Sequence, residues 1–504
     1  MLFLLLVGTG YVGSGACESC HPAIYRSYSE TPMARSTGPA ERDLPAGSVR
    51  HAPSGMAYRL GVEGGAPYFE YSNLSGSGLS GRQPLRAFIG SGAVGRSYLF
   101  SVDGWWFLAP VSYYSQRLAW DMSPGYEPDP RMHFSRRVTE SCLFCHATGA
   151  RAAAGTYNRY AEPPWEEPGV GCERCHGPGE SHVKGRGPIV NPARLDPARR
   201  DDVCAQCHLT GEERIDRPGQ SVSLYRPGGR LLDHAEYLVV AGAALRATSH
   251  VERLLASACK QRSGDRLWCG TCHNPHKPTP PGTRAAFFRS KCLGCHQSPQ
   301  CRRGPDCVSC HMPKAKVIDA GHSVLTDHSI HRHPSVRKAA PTGELVLFGG
   351  GRPSARAIGL AYANLAVRTG DRRHLEKAIP FLRNADTKDA PVLTQLARWE
   401  ELGGRAGAAV ALYEAALRDD PHRIVAAVNL GSIAARQGDL ERAIGLWKAV
   451  FDRDPATTEA GINLAIAFLK QRRFEDARAV LERVLRFDPS SALAHRLLNQ
   501  REDP

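Results

Sequence analysis

Residues 268–276 read WCGTCHNPH, residues 291–296 read KCLGCH and residues 306–313 read DCVSCHMP. The unit Cys-x-x-Cys-His thus occurs three times in one stretch, at Cys269/Cys272/His273, Cys292/Cys295/His296 and Cys307/Cys310/His311. On a helical turn, residues i, i+3 and i+4 share a face. Two thiols placed there can add to the two vinyl groups of a haem while the histidine reaches the iron from the same side. This is the signature of c-type haem attachment. A lone Cys-x-x-Cys would say less, since it also holds zinc or forms a redox disulfide.

Working outward, four more copies lie upstream: Cys17/Cys20/His21, Cys142/Cys145/His146, Cys172/Cys175/His176 and Cys204/Cys207/His208. Seven motifs use all of the 16 cysteines except Cys259 and Cys301. Zinc ribbons combine such pairs in twos. They need an even number of pairs and give no reason for a histidine after every second cysteine. The residues therefore imply seven haem c groups, each with an iron whose proximal ligand is the motif histidine.

The composition agrees. Residues 17–335 are rich in Gly, Pro and Arg and poor in long apolar runs, so the cofactors would supply much of the core. A formal net charge of +14 invites a nucleic-acid reading. Haem propionates account for it better, because seven haems bring roughly fourteen carboxylates for Arg and Lys to pair with. Residues 1–16 begin MLFLLLVGTG, an apolar run far too short to span a bilayer. It reads as the tail of a secretory signal without its basic beginning, through a misplaced start codon, or else as a short buried strand. No other stretch is hydrophobic enough for a transmembrane span.

From Cys17 the chain reads CESCHPAIYRSYSETPMARS. This resembles the multihaem c-type cytochromes related to the tetrahaem electron carriers of nitrification. There an aromatic-containing helix follows the first motif, and a distal histidine comes twelve residues after the proximal one. Here that position is Met33, a departure from the pattern that a thioether ligand to the first haem would satisfy. The resemblance also implies export to the periplasm or the extracellular space. In GCERCHGPGESHV and CGTCHNPH, it implies that the trailing His182 and His276 ligate the iron of a neighbouring haem. After the last motif, it places distal ligands at His322 and His328.

His250, opening an amphipathic helix before the fifth motif, and His51 complete the candidate ligands, with His133 also near enough to reach a haem and His234 in reserve. His331 and His333 are surplus, open to a role on another copy of the chain. Seven irons need at most seven distal ligands, so the internal supply suffices. The two spare cysteines, Cys259 and Cys301, are expected to form a disulfide, since such bonds persist in exported proteins.

Between His21 and Cys142, short apolar and aromatic runs are broken by glycine, and Asp103-Gly104 sits between two of them, a strong hairpin signal. A small antiparallel β insert over about 50–125 follows, with Trp105, Trp106 and Trp120 as its aromatic core. GSGAVGRSYLF and WDMSPGY resemble segments of multihaem cytochromes that carry a tetratricopeptide tail.

Residues 336–353 read as a linker with one short strand. Beyond it Asp-Pro recurs at 420–421, 454–455 and 488–489, and Ala409, Ala443 and Ala477 keep the same 34-residue interval. Residues 354–504 therefore resemble tetratricopeptide (TPR) repeats, with Leu430, Gly431 and Ala443 where paired helices must approach, and such arrays offer a concave protein-docking surface.

The fold class expected is mixed: a loop-rich multihaem cytochrome domain (17–335) with its β insert, then an all-α helical-repeat solenoid. The function expected is electron transfer to redox protein partners, with the repeats as docking module. Two alternatives stand beside it: self-association into a conductive extracellular filament, and a nitrite- or hydroxylamine-type reductase with one open haem. No catalytic motif in the sequence requires the enzyme reading.

Overall fold

The computed structural model describes residues 10–76, 78–127, 129, 131–240, 243–296, 306–320, 322–331 and 343–499. Cys301 and His333, and with Cys301 the expected disulfide, lie outside them.

The β insert is larger than expected. Alternation along Met56, Tyr58 and Leu60 places every second side chain on one face, and the chain builds two antiparallel sheets from it. One holds β2 (Gly47–His51), β3 (Met56–Glu63), β4 (Ala66–Asn73) and β5 (Ser80–Pro84) in that order. The other runs β1 (Thr37–Pro39), β6 (Ala87–Ile89), β7 (Arg96–Val102), β8 (Trp105–Tyr114) and β9 (Ala119–Met122). Register is pinned by pairs such as Leu60 opposite Phe69 and Phe100 opposite Phe107. Asp103 and Gly104 form the two-residue turn between β7 and β8, both at positive φ (52° and 84°), as a type I′ hairpin requires. Phe69, Phe100 and Phe134 meet edge to face in the core, with ring centroids 4.9–6.1 Å apart. Trp105 is buried in this core and Trp120 packs at its margin, whereas Trp106 is buried in a second cluster with Leu99, Leu143 and Trp165.

The motif-bearing segments form short helices joined by loops, including Glu140–His146, Pro197–His208, Cys269–Cys272 and Cys307–His311. No helix among the described residues is long and apolar enough to cross a membrane. The segment after the last motif is not a free tether. Its strand Leu345–Leu347 pairs with Ala235–Val240, which pairs with Glu213–Asp216.

From Ala355 onward the chain is a solenoid of antiparallel helix pairs, ending with Ala492–Asn499. Ala409, Ala443 and Ala477, one interval apart, are all buried. Gly431 shows why a small residue is required: a Cβ there would lie 2.7 Å from Nε1 of Trp447.

Both ends of the solenoid are fixed to the N-terminal half. At its start, Ser354 caps the first helix and is itself held by the buried Glu236, its N–H and Oγ–H donating at 2.9 and 2.7 Å. Arg356 bridges Asp389 and the carbonyl of Asp216. At its end, Phe487 fills the β core against Trp105 and Phe107. There Asp454 pairs with Arg137 at 2.8 Å, and the Phe134 N–H donates to the Phe487 carbonyl at 3.0 Å.

Candidate haem centres

A motif histidine can hold iron through Nε2 only if Nδ1 is disposed of elsewhere, commonly on a backbone carbonyl. His176 does this, with Nδ1 2.8 Å from the Val190 carbonyl, and His311 places Nδ1 2.7 Å from the carbonyl of His331. His328, outside the motifs, does the same with Thr326 at 3.0 Å. Nδ1 of His146, His208 and His250 is buried without a partner. Burial pushes His146 and His208 down to about 4 and His250 to about 3, each also opposed by neighbouring imidazoles. These rings stay neutral at pH 7, the state in which imidazole binds a metal.

With a metal–nitrogen bond of about 2.0–2.1 Å on each side, two imidazoles on one metal have centroids roughly 6 Å apart. His21 and His182 lie 6.4 Å apart with ring planes 10° from parallel, and His176 and His276 lie 5.8 Å apart at 16°. His273 faces His328 at 6.2 Å and 32°. His208 and His250 are closer, at 5.0 Å and perpendicular, and His250 also touches His328 at 4.8 Å. Four motif histidines thus each lie beside one from outside the motifs; the spacings of His21–His182, His176–His276 and His273–His328 fit two imidazoles on one iron, whereas His208 and His250 stand closer than that. Among the described residues the rings of His146, His296 and His311 make no contact with a second imidazole, although His208 is an electrostatic neighbour of His146, and no three His, Cys, Asp or Glu side chains converge as a tetrahedral metal site would require.

The other candidate ligands sit elsewhere. His182 is the imidazole against His21. Met33 is half-buried in the turn before β1, its carbonyl accepting from the Ser36 hydroxyl, which also donates to the carbonyl of His146 at 2.7 Å. His51 has both ring nitrogens engaged inside the β insert, with Ser54 Oγ at 2.8 Å and the Glu127 carbonyl at 3.2 Å. His322 is drawn onto the insert, where Asp121 (2.9 Å) and the Tyr114 ring hold it. His133 is stacked on Tyr126 and paired with Asp129, and His234 bonds Gln220.

The motifs are neighbours in space. Cys17 is pushed up to about 11 by burial and then by the adjacent Cys172. Hydrogen bonding to Cys207 and burial raise Cys145, and hydrogen bonding to Cys269 and burial raise Cys204. Cys292 and Cys307 are likewise in hydrogen-bond contact. These contacts tie motif 1 to 3, 2 to 4, 4 to 5 and 6 to 7. The carbonyls of Val190, Thr326 and His331 that orient the imidazoles carry no sequence signal, because any residue type supplies one.

Two motif thiols lie just past the end of a regular helix. In motif 1 the helix Gly15–Glu18 ends before Cys20, and in motif 6 the helix Arg284–Leu293 ends before Cys295. Both thiols therefore lie in the turn beyond their helix, and both are exposed. Cys20 has only the hydroxyl of its neighbour Ser19 at 3.8 Å, while Cys295 stands as an electrostatic neighbour of Cys259 and Cys272. Cys310 keeps its place within the helix Cys307–His311 but is half-buried, with the Ser309 hydroxyl 3.9 Å away, and it is Cys307 that meets Cys292. In motifs 1 and 6 the turn is nonetheless closed, the His21 N–H donating to the Cys17 carbonyl and the His296 N–H to the Cys292 carbonyl at 2.9 Å each, so the i, i+3 spacing holds locally although the regular helix has ended.

The TPR family matches residues 403–456 and 434–500, and the family described as cytochrome c554 and c-prime matches residues 122–177, which contain motifs 2 and 3. Among curated proteins, the chain is 24% identical over 194 residues to the multiheme cytochrome MtrA of Shewanella baltica (strain OS185), covering 34% of this chain and 56% of that protein. The chain therefore spans about half the length of that relative. Among solved structures it is similar to MamA from Desulfovibrio magneticus RS-1 (21% identity, 28% of this chain, 81% of that chain, TM-score 0.25). It is also similar to YrrB, described as a TPR protein with an unusual peptide-binding site (18% identity, 28% of this chain, 71% of that chain, TM-score 0.23). The protein thus joins a segment similar to a cytochrome c family to a C-terminal TPR array.

Proposed function

We propose that this chain is an exported electron carrier holding seven c-type haems, with its repeats docking a protein partner. The observation that carries the reading is the pairing of His21, His176, His208 and His273, each with a histidine from outside the motifs. The two cysteines of each motif would hold a haem through thioether bonds, and the following histidine would take one axial position. Haem supplies reversible one-electron chemistry.

The chain's own residues do the rest. His182, His276, His250 and His328 would hold the other side of the iron, which would leave no site there for substrate. Backbone carbonyls orient His176 and His311, and the contacts between motifs would bring successive haems close enough for electrons to pass. Met33, His51 and His322 remain candidates for the other irons only if bound haem draws them from their present partners. Cys20 and Cys295 would join Cys17 and Cys292, each pair on one haem, through the turns that the His21 and His296 amides already close. One observation favours the reductase alternative at a single centre: Nδ1 of His146 is buried without a partner, and among the described residues its ring meets no second imidazole, its neighbour His208 being turned to His250.

Mass spectrometry of the denatured, exported protein tests the proposal. Seven additions of ~616 Da, about 4.3 kDa in total, are expected for seven thioether-linked haems; fewer than six would refute it. Low-spin spectra throughout would support the carrier, and one high-spin component would move His146 to the reductase reading.

A further inference from the structure

The two variable positions of motif 3, Glu173 and Arg174, are charged side chains that point in opposite directions into the motif cluster. Glu173 is 2% exposed. Its carboxylate accepts from the N–H groups of Val12 (3.0 Å), Gly13 (2.8 Å) and Gly179 (2.7 Å). Those donors belong to the loop leading into motif 1 and to the turn after motif 3. Ser14 completes the attachment, its Oγ accepting from the Cys172 N–H at 2.9 Å.

Arg174 reaches the other way. Its guanidinium donates to the carbonyl of Phe144 in motif 2 (2.9 Å) and to Oε1 of Gln206 in motif 4 (3.1 Å), and it lies over the Phe144 ring at 4.0 Å. Gln206 answers by donating to the Arg174 carbonyl at 3.0 Å. The cation is an electrostatic neighbour of Cys145, Cys175 and Cys207, one thiol from each of motifs 2, 3 and 4. Its Nε–H is buried and has no acceptor.

From this we infer that Glu173 and Arg174 are paired positioning residues: Glu173 fixes haem 1 against haem 3, Arg174 fixes haems 2, 3 and 4 around one cation, and their opposite charges set those haems' potentials in opposite senses. The inference rests on the haem reading above. A buried cation beside a haem favours the reduced form, which carries one positive charge fewer, and a buried anion favours the oxidised form. The sign follows from charge alone, whereas a purely mechanical role would predict none. The other six motifs carry no acid–base pair at these positions, so the arrangement is particular to motif 3.

The test uses the full-length, haem-loaded protein. Haem counting by mass spectrometry comes first: if the unmodified chain carries no haem, the functional reading fails and this inference falls with it. Given a loaded wild type, Arg174→Gln should keep seven haems and move two or three components of a spectroelectrochemical titration to more negative potential. Glu173→Gln should move one or two to more positive potential. Arg174→Lys keeps the charge but loses the planar fork. It should leave the potentials near wild type while changing the inter-haem coupling seen by electron paramagnetic resonance. Titrations of the Gln variants that superimpose on wild type, or shift in the same direction, overturn the inference. Should either Gln variant fail to mature, Arg174→Lys decides the matter alone, since unchanged coupling would overturn the positioning role.

Discussion

Phe487 belongs to the repeat solenoid by sequence but to the β core by packing, and Phe487→Ala tests that assignment. The side chain is 1% exposed and meets Trp105 at 6.2 Å and Phe107 at 5.9 Å. Truncating a buried phenylalanine costs about 3–5 kcal/mol in lost transfer energy and cavity formation. Because the cavity opens where solenoid and insert meet, the cost should fall on docking rather than on either unit's own fold. The reporter is the Phe134 amide, which donates to the Phe487 carbonyl across that contact.

At 1.4 kcal/mol per factor of ten, its hydrogen exchange should accelerate by roughly a hundred- to several thousand-fold, provided local opening governs exchange. Leu481→Ala is the control. Leu481 is equally buried but lies inside the solenoid's own cluster, so it should cost a similar amount in urea without selectively exposing Phe134. Unchanged Phe134 exchange in Phe487→Ala, or equal acceleration in both variants, would refute the coupling.

Gly431→Val should destabilise the repeats by about 1–3 kcal/mol through overpacking, because its side chain would drive into Trp447; thermal unfolding of the full chain reads this. His182→Ala should convert one haem to a high-spin spectrum while Met33→Ala leaves haem 1 low-spin, and the reverse result would restore the thioether to haem 1. Burial pushes the His133 imidazole below its ordinary value, against the opposing pull of Asp129 and Asp488 and with the help of Arg131. Its folded form is therefore neutral where the unfolded one, titrating near 6.5, already takes a proton. Stability present above about pH 6.5 should be lost as pH falls through the folded value. The urea midpoint of His133→Gln should accordingly fall less than wild type between pH 7.5 and 5.

Much of this protein is written locally. The seven motifs are complete within five residues each, the Asp103-Gly104 turn needs only its two positive φ angles, and the 34-residue interval of Ala409, Ala443 and Ala477 announces the helix pairs. Each depends on neighbours in the chain, where spacing and geometry are nearly the same thing. Cys20 and Cys295 lie two residues past the last residue of their helices, yet the hydrogen bond closing each motif turn keeps the local geometry. What the interval could not convey is that the solenoid is held at both ends, by Ser354 on Glu236 and by Phe487 in a β core far earlier in the chain, against Trp105 and Phe107. Nor could composition separate the histidines that face a motif from those that do not.

His51 and His322 count toward iron in the sequence because the chain has histidines to spare, yet Ser54, Glu127, Asp121 and Tyr114 engage them in the β insert. His21 meets His182, and His176 meets His276, across separations of 161 and 100 residues. An imidazole's partner is set by which distant loops the packed motifs bring within about 6 Å of it, and over such separations loop closure is nearly indifferent to length. Tertiary packing alone therefore chose the pairs.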